Sequence, residues 1–324
     1  LLWRFFIINF LFFKTPMKRS ELFLIILCFE IYGSITAGTS LNDTSAVLID
    51  STKMVFPAIS RQKNTELNTT WYQMVTEIPG DEYLFFRNSF QSSQIPTYAG
   101  LTVLTGSLMK VDISGWKVDR KLYVESNTYK TASNLAVDMG DGRFHFLLSG
   151  LFASYGLICS DPVALRAASD IAESVLSTGL LVQALKRVTG RESPAYAANF
   201  RWQWHFFPSI EEYQKDESKY YSFPSGHLAA ATAVLMVISN DYPEITWLRP
   251  AGYPFLGLLG MGLVSKGMHW YSDLPLGYFI GYSMGNIVAP GLKIHDENIS
   301  NSYPLSVSPG ISGKSICLQA AYSF

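Results

Sequence analysis

Two places in this chain combine residue types and spacing that could do chemistry: Pro224-Ser225-Gly226-His227 and, further along, His269-Trp270-Tyr271-Ser272-Asp273. The first is a small-residue turn that opens into an apolar run over residues 228–238. If that run is a helix, the backbone N–H groups of residues 225–227 point out of its N-terminus, where the dipole favours an anion. Such a turn is a seat for phosphate. In the second, Asp273 stands four positions after His269. That is close enough to accept a hydrogen bond from one imidazole nitrogen and leave the other free as a nucleophile or base. Pro275 disfavours helical geometry at Leu274, so His269 and Asp273 are expected to flank a helix end. Together the two motifs suit phosphoryl transfer. Taken singly, each has an ordinary explanation: His227 as a helix N-terminal residue, and His269 as a satisfied core histidine beside Trp270.

A third segment, Lys186-Arg187-Val188-Thr189-Gly190-Arg191-Glu192-Ser193-Pro194, closes an apolar, helix-like stretch over residues 171–185. Alone it reads as a basic helix C-terminus ending in Gly190, where cations suit the negative end of the dipole. In order, the basic Gly-Arg segment, Pro-Ser-Gly-His and His-x-x-x-Asp make the chain resemble the type 2 phosphatidic acid phosphatase and vanadium haloperoxidase superfamily. The resemblance covers roughly residues 75–290, and Asp138-Met139-Gly140-Asp141-Gly142 before an apolar run is similar to the lead-in of its exported bacterial branch. Lys186 and Pro194 fall in register with the first family motif, but Ser193 stands where that motif has arginine. Pro224 to His227 match the second in full, and His269 and Asp273 match the third, whose Ser-Arg pair is replaced by Gly262 and Leu263. Both family arginines are therefore missing.

The resemblance implies an all-α helical bundle and hydrolysis of a phosphomonoester or pyrophosphate, such as a lipid phosphate, with neither metal nor cofactor. His269 would attack phosphorus, Asp273 would orient it, and His227 would act as acid and then base. Lys186 and the amides at Ser225 and Gly226 would bind the phosphoryl oxygens. Arg191 and Lys266 are the expected sources of the charge that the pattern places at positions 193 and 263. Residues 191 and 193 share a side if the segment is extended, and Lys266 lies one helical turn after Leu263. Two other classes stay open: a vanadate-dependent haloperoxidase with His269 as the vanadate ligand, and a non-catalytic, anion-binding envelope protein.

The composition of the 324 residues, 48% hydrophobic and only 16% charged, calls for extensive burial in protein or lipid. A formal net charge of −1 offers no basic field for nucleic acid. No Cys/His cluster has zinc-ligand spacing. Helical periodicity is read over 81–92, 98–112, 143–159, 162–186, 226–240, 250–268 and 274–290, with almost no strand alternation. The charge-free runs 144–160 and 274–292 approach spanning length but are diluted by Gly, Ser, Asn and Pro, so buried core helices are expected. The aromatic connection 195–223 is expected to be an ordered lid or a packed loop.

Residues 1–38 read as an upstream extension and a signal peptide: Met17-Lys18-Arg19, an apolar core over 22–32 and a small-residue zone over 33–38. Export to the periplasm or cell envelope follows, with association at a membrane surface or an integral anchor as the alternatives. A flexible arm over 39–70, a helical domain over 71–295 and an extended tail over 296–324 complete the expected organisation. After removal of the signal, Cys159 and Cys317 are left either to bridge or to stay as separate thiols.

Overall fold

Gly277, Gly281 and Gly285 recur at every fourth residue, which on a helix makes a strip without side chains. That strip lets a neighbouring helix pack very closely. A Cβ at these three positions would stand 2.6, 2.1 and 2.5 Å from the carbonyl oxygens of Ser225, Ala229 and Ala233. The two helices therefore touch backbone to backbone, and the first of these contacts falls on the Pro-Ser-Gly-His turn.

The computed structural model describes residues 72–197, 204–289, 305–312 and 315–322. Their helices are α1 (Gln73–Thr76), α2 (Ile78–Ser89), α3 (Ile95–Glu125), α4 (Asn127–Met139), α5 (Gly142–Cys159) and α6 (Pro162–Thr189). They continue with α7 (Ile210–Lys215), α8 (Glu217–Tyr220), α9 (Gly226–Asp241), α10 (Leu248–Ser265) and α11 (Leu274–Val288). The fold is all-α. Helix α9 is central, packed on α11, α6 and α10, while α5 lies along α6 and α4 along α10. Leu228 and Ala231 of α9 meet Leu256, Leu259 and Leu263 of α10 and Ala136 and Val137 of α4 in one apolar cluster.

Local chemistry explains where the central helices begin. Asp161 accepts from the amides of Val163 and Ala164 at 2.9 and 3.2 Å, with Pro162 in the first turn of α6. Asp141 caps α5 through the Arg143 amide at 2.8 Å, and Ser225 caps α9 through Leu228 N–H at 3.5 Å. These helices start within a residue of the expected positions.

Two helical stretches exceed expectation. Helix α3 runs to Glu125, well past residue 112, and α4 was not expected at all. Helix α3 buries only Asp112 and Asp119, and α4 buries the short mixed stripe Ser133, Ala136, Val137 and Met139, so neither shows a sustained apolar face. The expected signal peptide and the flexible arm lie outside the described residues; Cys159 ends α5 as a free thiol. In the tail, strands β1 (Leu305–Ser312) and β2 (Ser315–Tyr322) pair antiparallel, where the sequence suggested a single extended segment. No helix among the described residues is long and apolar enough to cross a membrane.

Candidate active site

The turn that follows α10 brings His269 into a fully buried position. Its Nδ1 lies 2.6 Å from the Ser222 carbonyl oxygen, so Nδ1 carries the proton and donates it there. Asp273 Oδ2 is 3.7 Å from the same nitrogen, beyond hydrogen-bond reach. The sequence suggested that Asp273 would orient His269; in the structure the Ser222 carbonyl takes the Nδ1 hydrogen bond, and Asp273 stands beside the same nitrogen at ion-pair distance. Ser222 Oγ donates to Asp273 Oδ2 at 2.6 Å, and the Trp270 amide donates to the same oxygen at 2.7 Å. The Tyr271–Asp273 segment is a short 3-10 turn and α11 starts at Leu274, so histidine and aspartate do flank a helix end.

The other imidazole nitrogen, Nε2, is buried and makes no hydrogen bond among the described residues. Burial lowers the His269 pKa and the Lys186 charge lowers it further, against the opposing pull of Asp273 and the Ser222 carbonyl. A neutral ring with its proton fixed on Nδ1 leaves the Nε2 lone pair available.

Ser225 and Gly226 form the N-terminus of α9, with Ser225 N–H tied to the Asp273 carbonyl at 3.1 Å. Lys186, buried near the end of α6, brings Nζ to 3.6 Å from where a Cβ on Gly226 would stand. The ammonium also sits 4.9 Å over the ring of Tyr221, whose edge meets His269 at 6.0 Å between centroids. Lys186, Gly226, Tyr221 and His269 therefore gather at one point. His227 joins them: desolvation, then the charges of His269 and Lys186, lower its pKa to about 4, while Asp141 opposes with Oδ2 3.8 Å from Nε2.

Arg191 does not stand free at this seat as the sequence suggested. Its guanidinium is fully buried, with Nη1 donating to Asp273 Oδ1 and to Ser272 Oγ (2.8 Å), and Nη2 donating to Asp112 Oδ2 at 2.9 Å. Trp204 covers it at 4.9 Å. Burial would raise the Asp273 pKa, but the Arg191 charge leads the interactions that hold it below the usual carboxylate value. Lys266 is the partly exposed cap at the end of α10, and no described contact links it to the histidines. Leu263 is wholly buried in the α4–α9–α10 cluster and Ser193 is buried beside Arg191, so neither position offers a cation.

Sequence reasoning missed what α3 contributes. Asp112 accepts from the Ser272 amide at 3.0 Å and from Ser272 Oγ at 2.5 Å, and Asp119 accepts from the Tyr271 hydroxyl. Between them on the same face, Gly115 leaves room for the Tyr271 ring, whose Cε2 would lie 2.8 Å from a Cβ there. The signal was two aspartates, Asp112 and Asp119, two helical turns apart with Gly115 between them. The connection before α9 walls the site, because His205 N–H bonds the Gly190 carbonyl at 3.1 Å and Ser222 N–H bonds the Arg191 carbonyl at 3.1 Å. Gly190 is required there: its φ is +50°, and a Cβ would fall 2.1 Å from the His205 carbonyl oxygen. Among the described residues, no group of three or more His, Cys, Asp or Glu side chains has the arrangement of a metal site.

Comparison with solved structures finds similarity to LpxE of Aquifex aeolicus, 17% identical with a TM-score of 0.40 over 55% of this chain and 94% of that one. A transmembrane PAP2 type phosphatidylglycerolphosphate phosphatase from Bacillus subtilis is 16% identical, with a TM-score of 0.39 over 59% of this chain and 92% of that one. Residues 167–293, which hold Lys186, the α9 N-terminus, His269 and Asp273, match the family model described as PAP2 superfamily.

Proposed function

We propose that this chain is a phosphatase of the PAP2 type that hydrolyses a phosphomonoester or pyrophosphate, a lipid phosphate among the candidates, through a phosphohistidine. The observation that carries this reading is the fixed tautomer of His269, whose proton is held by the Ser222 carbonyl and whose buried Nε2 is unpartnered beside Lys186 and the α9 N-terminus. Lys186 and the amides of Gly226 and His227, the Ser225 amide being held by the Asp273 carbonyl, neutralise the nonbridging oxygens, a preorganised arrangement that needs no metal ion to hold the charge.

In the first step His269 Nε2 forms a bond to phosphorus as the ester P–O bond breaks, and protonated His227 gives its proton to the leaving oxygen. The seated dianion itself favours the charged form of His227, which is neutral in the empty site. In the second step neutral His227 takes a proton from water, the water oxygen attacks phosphorus and the P–N bond breaks, restoring both histidines. Asp273 holds the Ser222–Trp270 frame that fixes His269. The export-like pattern of residues 17–38 supports an envelope location for this activity.

The test is His269→Ala beside Asp273→Asn, assayed with a chromogenic phosphomonoester. The first should abolish turnover, and the second should leave residual turnover because the carboxylate acts through the frame and not on phosphorus. Quenching with a slowly hydrolysed substrate should trap an acid-labile phosphoenzyme only when His269 is present. Wild-type-like turnover by the His269 variant would remove the mechanism.

A further inference from the structure

Asp141 does more than start α5. It belongs to the Asp-Met-Gly-Asp-Gly segment, which the chemistry above leaves unused, and its carboxylate reaches across to α9, with Oδ2 3.8 Å from His227 Nε2. We propose that Asp141 is a positioning residue that, once substrate is seated, favours the protonated, acid-competent form of His227 from which the leaving group takes its proton. The inference rests on the phosphatase reading and adds to it a source for the acid's proton affinity.

The groups facing His227 make such a partner necessary. From α6 comes the Lys186 ammonium, from the turn after α10 comes His269, and from α5 comes His145, and all three disfavour an imidazolium. The ring also sits in the first turn of α9, where the positive end of the dipole opposes added positive charge. Burial acts in the same direction and is the largest cause of the depressed pKa. Against these stands one carboxylate, Asp141. Its Oδ1 takes the Arg143 amide at 2.8 Å and Arg143 Nε at 3.2 Å, while Oδ2 is the oxygen turned to His227. The cap anchors the carboxylate, and Arg143, almost fully exposed, competes only weakly for it.

Asn is itself a good N-cap, so Asp141→Asn removes the charge and keeps the helix start. The discriminating probe is leaving-group dependence. p-Nitrophenolate departs readily without a proton, whereas phenolate gains from one, so loss of acid competence should fall on phenyl phosphate. We expect Asp141→Asn to lower kcat on phenyl phosphate at least about tenfold more than on p-nitrophenyl phosphate, within the span of general acid catalysis. The limb of the kcat profile that falls with rising pH should also move to lower pH, since removing a nearby negative charge lowers the pKa of an imidazolium. His227→Ala is the reference and should show the same bias between substrates.

Equal losses on both substrates, or no loss, in Asp141→Asn while His227→Ala keeps the bias would overturn the role of Asp141 alone. If His227→Ala shows no bias, the acid role of His227 fails and takes this inference with it. Asp141→Ala, which also loses the cap, should melt lower than Asp141→Asn. Melting and kinetics unchanged from the wild type in both variants would reduce Asp141 to a surface residue.

Discussion

Replacing Arg191 by Met should cost stability first and catalysis second. The guanidinium is fully buried and joins Asp112 of α3 to Asp273 and Ser272 of the 3-10 turn. Met keeps much of the volume and removes the charge, leaving two buried carboxylates facing each other without a counter-ion. Breaking a buried ion pair by removing one partner costs about 3 to 5 kcal/mol. At about 2 to 4 °C per kcal/mol for a large domain, the melting temperature should fall by about 6 to 20 °C. Turnover should drop as well, because Asp273 organises Ser222, whose carbonyl fixes His269.

Circular dichroism melting beside steady-state kinetics separates this lock from a phosphate contact. A residue that only binds phosphate would lower turnover and leave melting unchanged. Adding Asp112→Asn to Arg191→Met should recover part of the lost stability, since one uncompensated charge is then removed. An Arg191→Met protein that melts with the wild type but has lost turnover would refute the lock and return Arg191 to the seat.

Two further outcomes follow from the same coordinates. His145 and His227 are moved from 6.5 to about 4, chiefly by desolvation, so their neutral forms stabilise the fold fully above pH 6.5 and that contribution is lost as pH falls toward 4. Each is worth about 3 kcal/mol across that window by proton linkage, and His145→Gln should flatten the acid flank of a melting-temperature profile. Gly281→Ala places a methyl 2.1 Å from the Ala229 carbonyl oxygen, and should cost at least about 1 to 3 kcal/mol as overpacking and lower turnover by displacing α9. Unchanged melting in either variant would contradict the packing described.

The chemistry legible in the sequence was the part carried by short linear patterns. His227, His269, Asp273 and Lys186 lie in segments whose spacing alone limits their geometry. What stayed hidden comes from far along the chain. Asp112 lies 160 residues before Ser272, and Asp119 lies 152 before Tyr271. No local rule says that α3 will cross the 3-10 turn. Helix α4 was missed because its buried face is Ser133, Ala136, Val137 and Met139, too short and mixed a stripe to stand out from its polar neighbours. The side shared by residues 191 and 193 in an extended segment was a sound local inference, yet it could not show that two carboxylates wait for the guanidinium.

Those hidden residues change how charge at the seat must be balanced. Position 263 is filled by a leucine that packs on Leu228 and Ala231, so α10 contributes apolar surface to the underside of α9 where the resemblance would place a cation. Among the described residues, the guanidinium buried near the seat, that of Arg191, is spent on Asp112 and Asp273. A phosphomonoester dianion arriving there meets Lys186, the amides at the head of α9 and whatever charge His227 can carry. One ammonium offsets only half of a dianion, and helix-end dipoles offset about half a charge more. Protonation of His227 closes most of the remainder, which ties the binding of substrate to the arming of the acid. The carboxylate of Asp141, with Oδ2 3.8 Å from His227 Nε2, is therefore part of the electrostatic design of the seat.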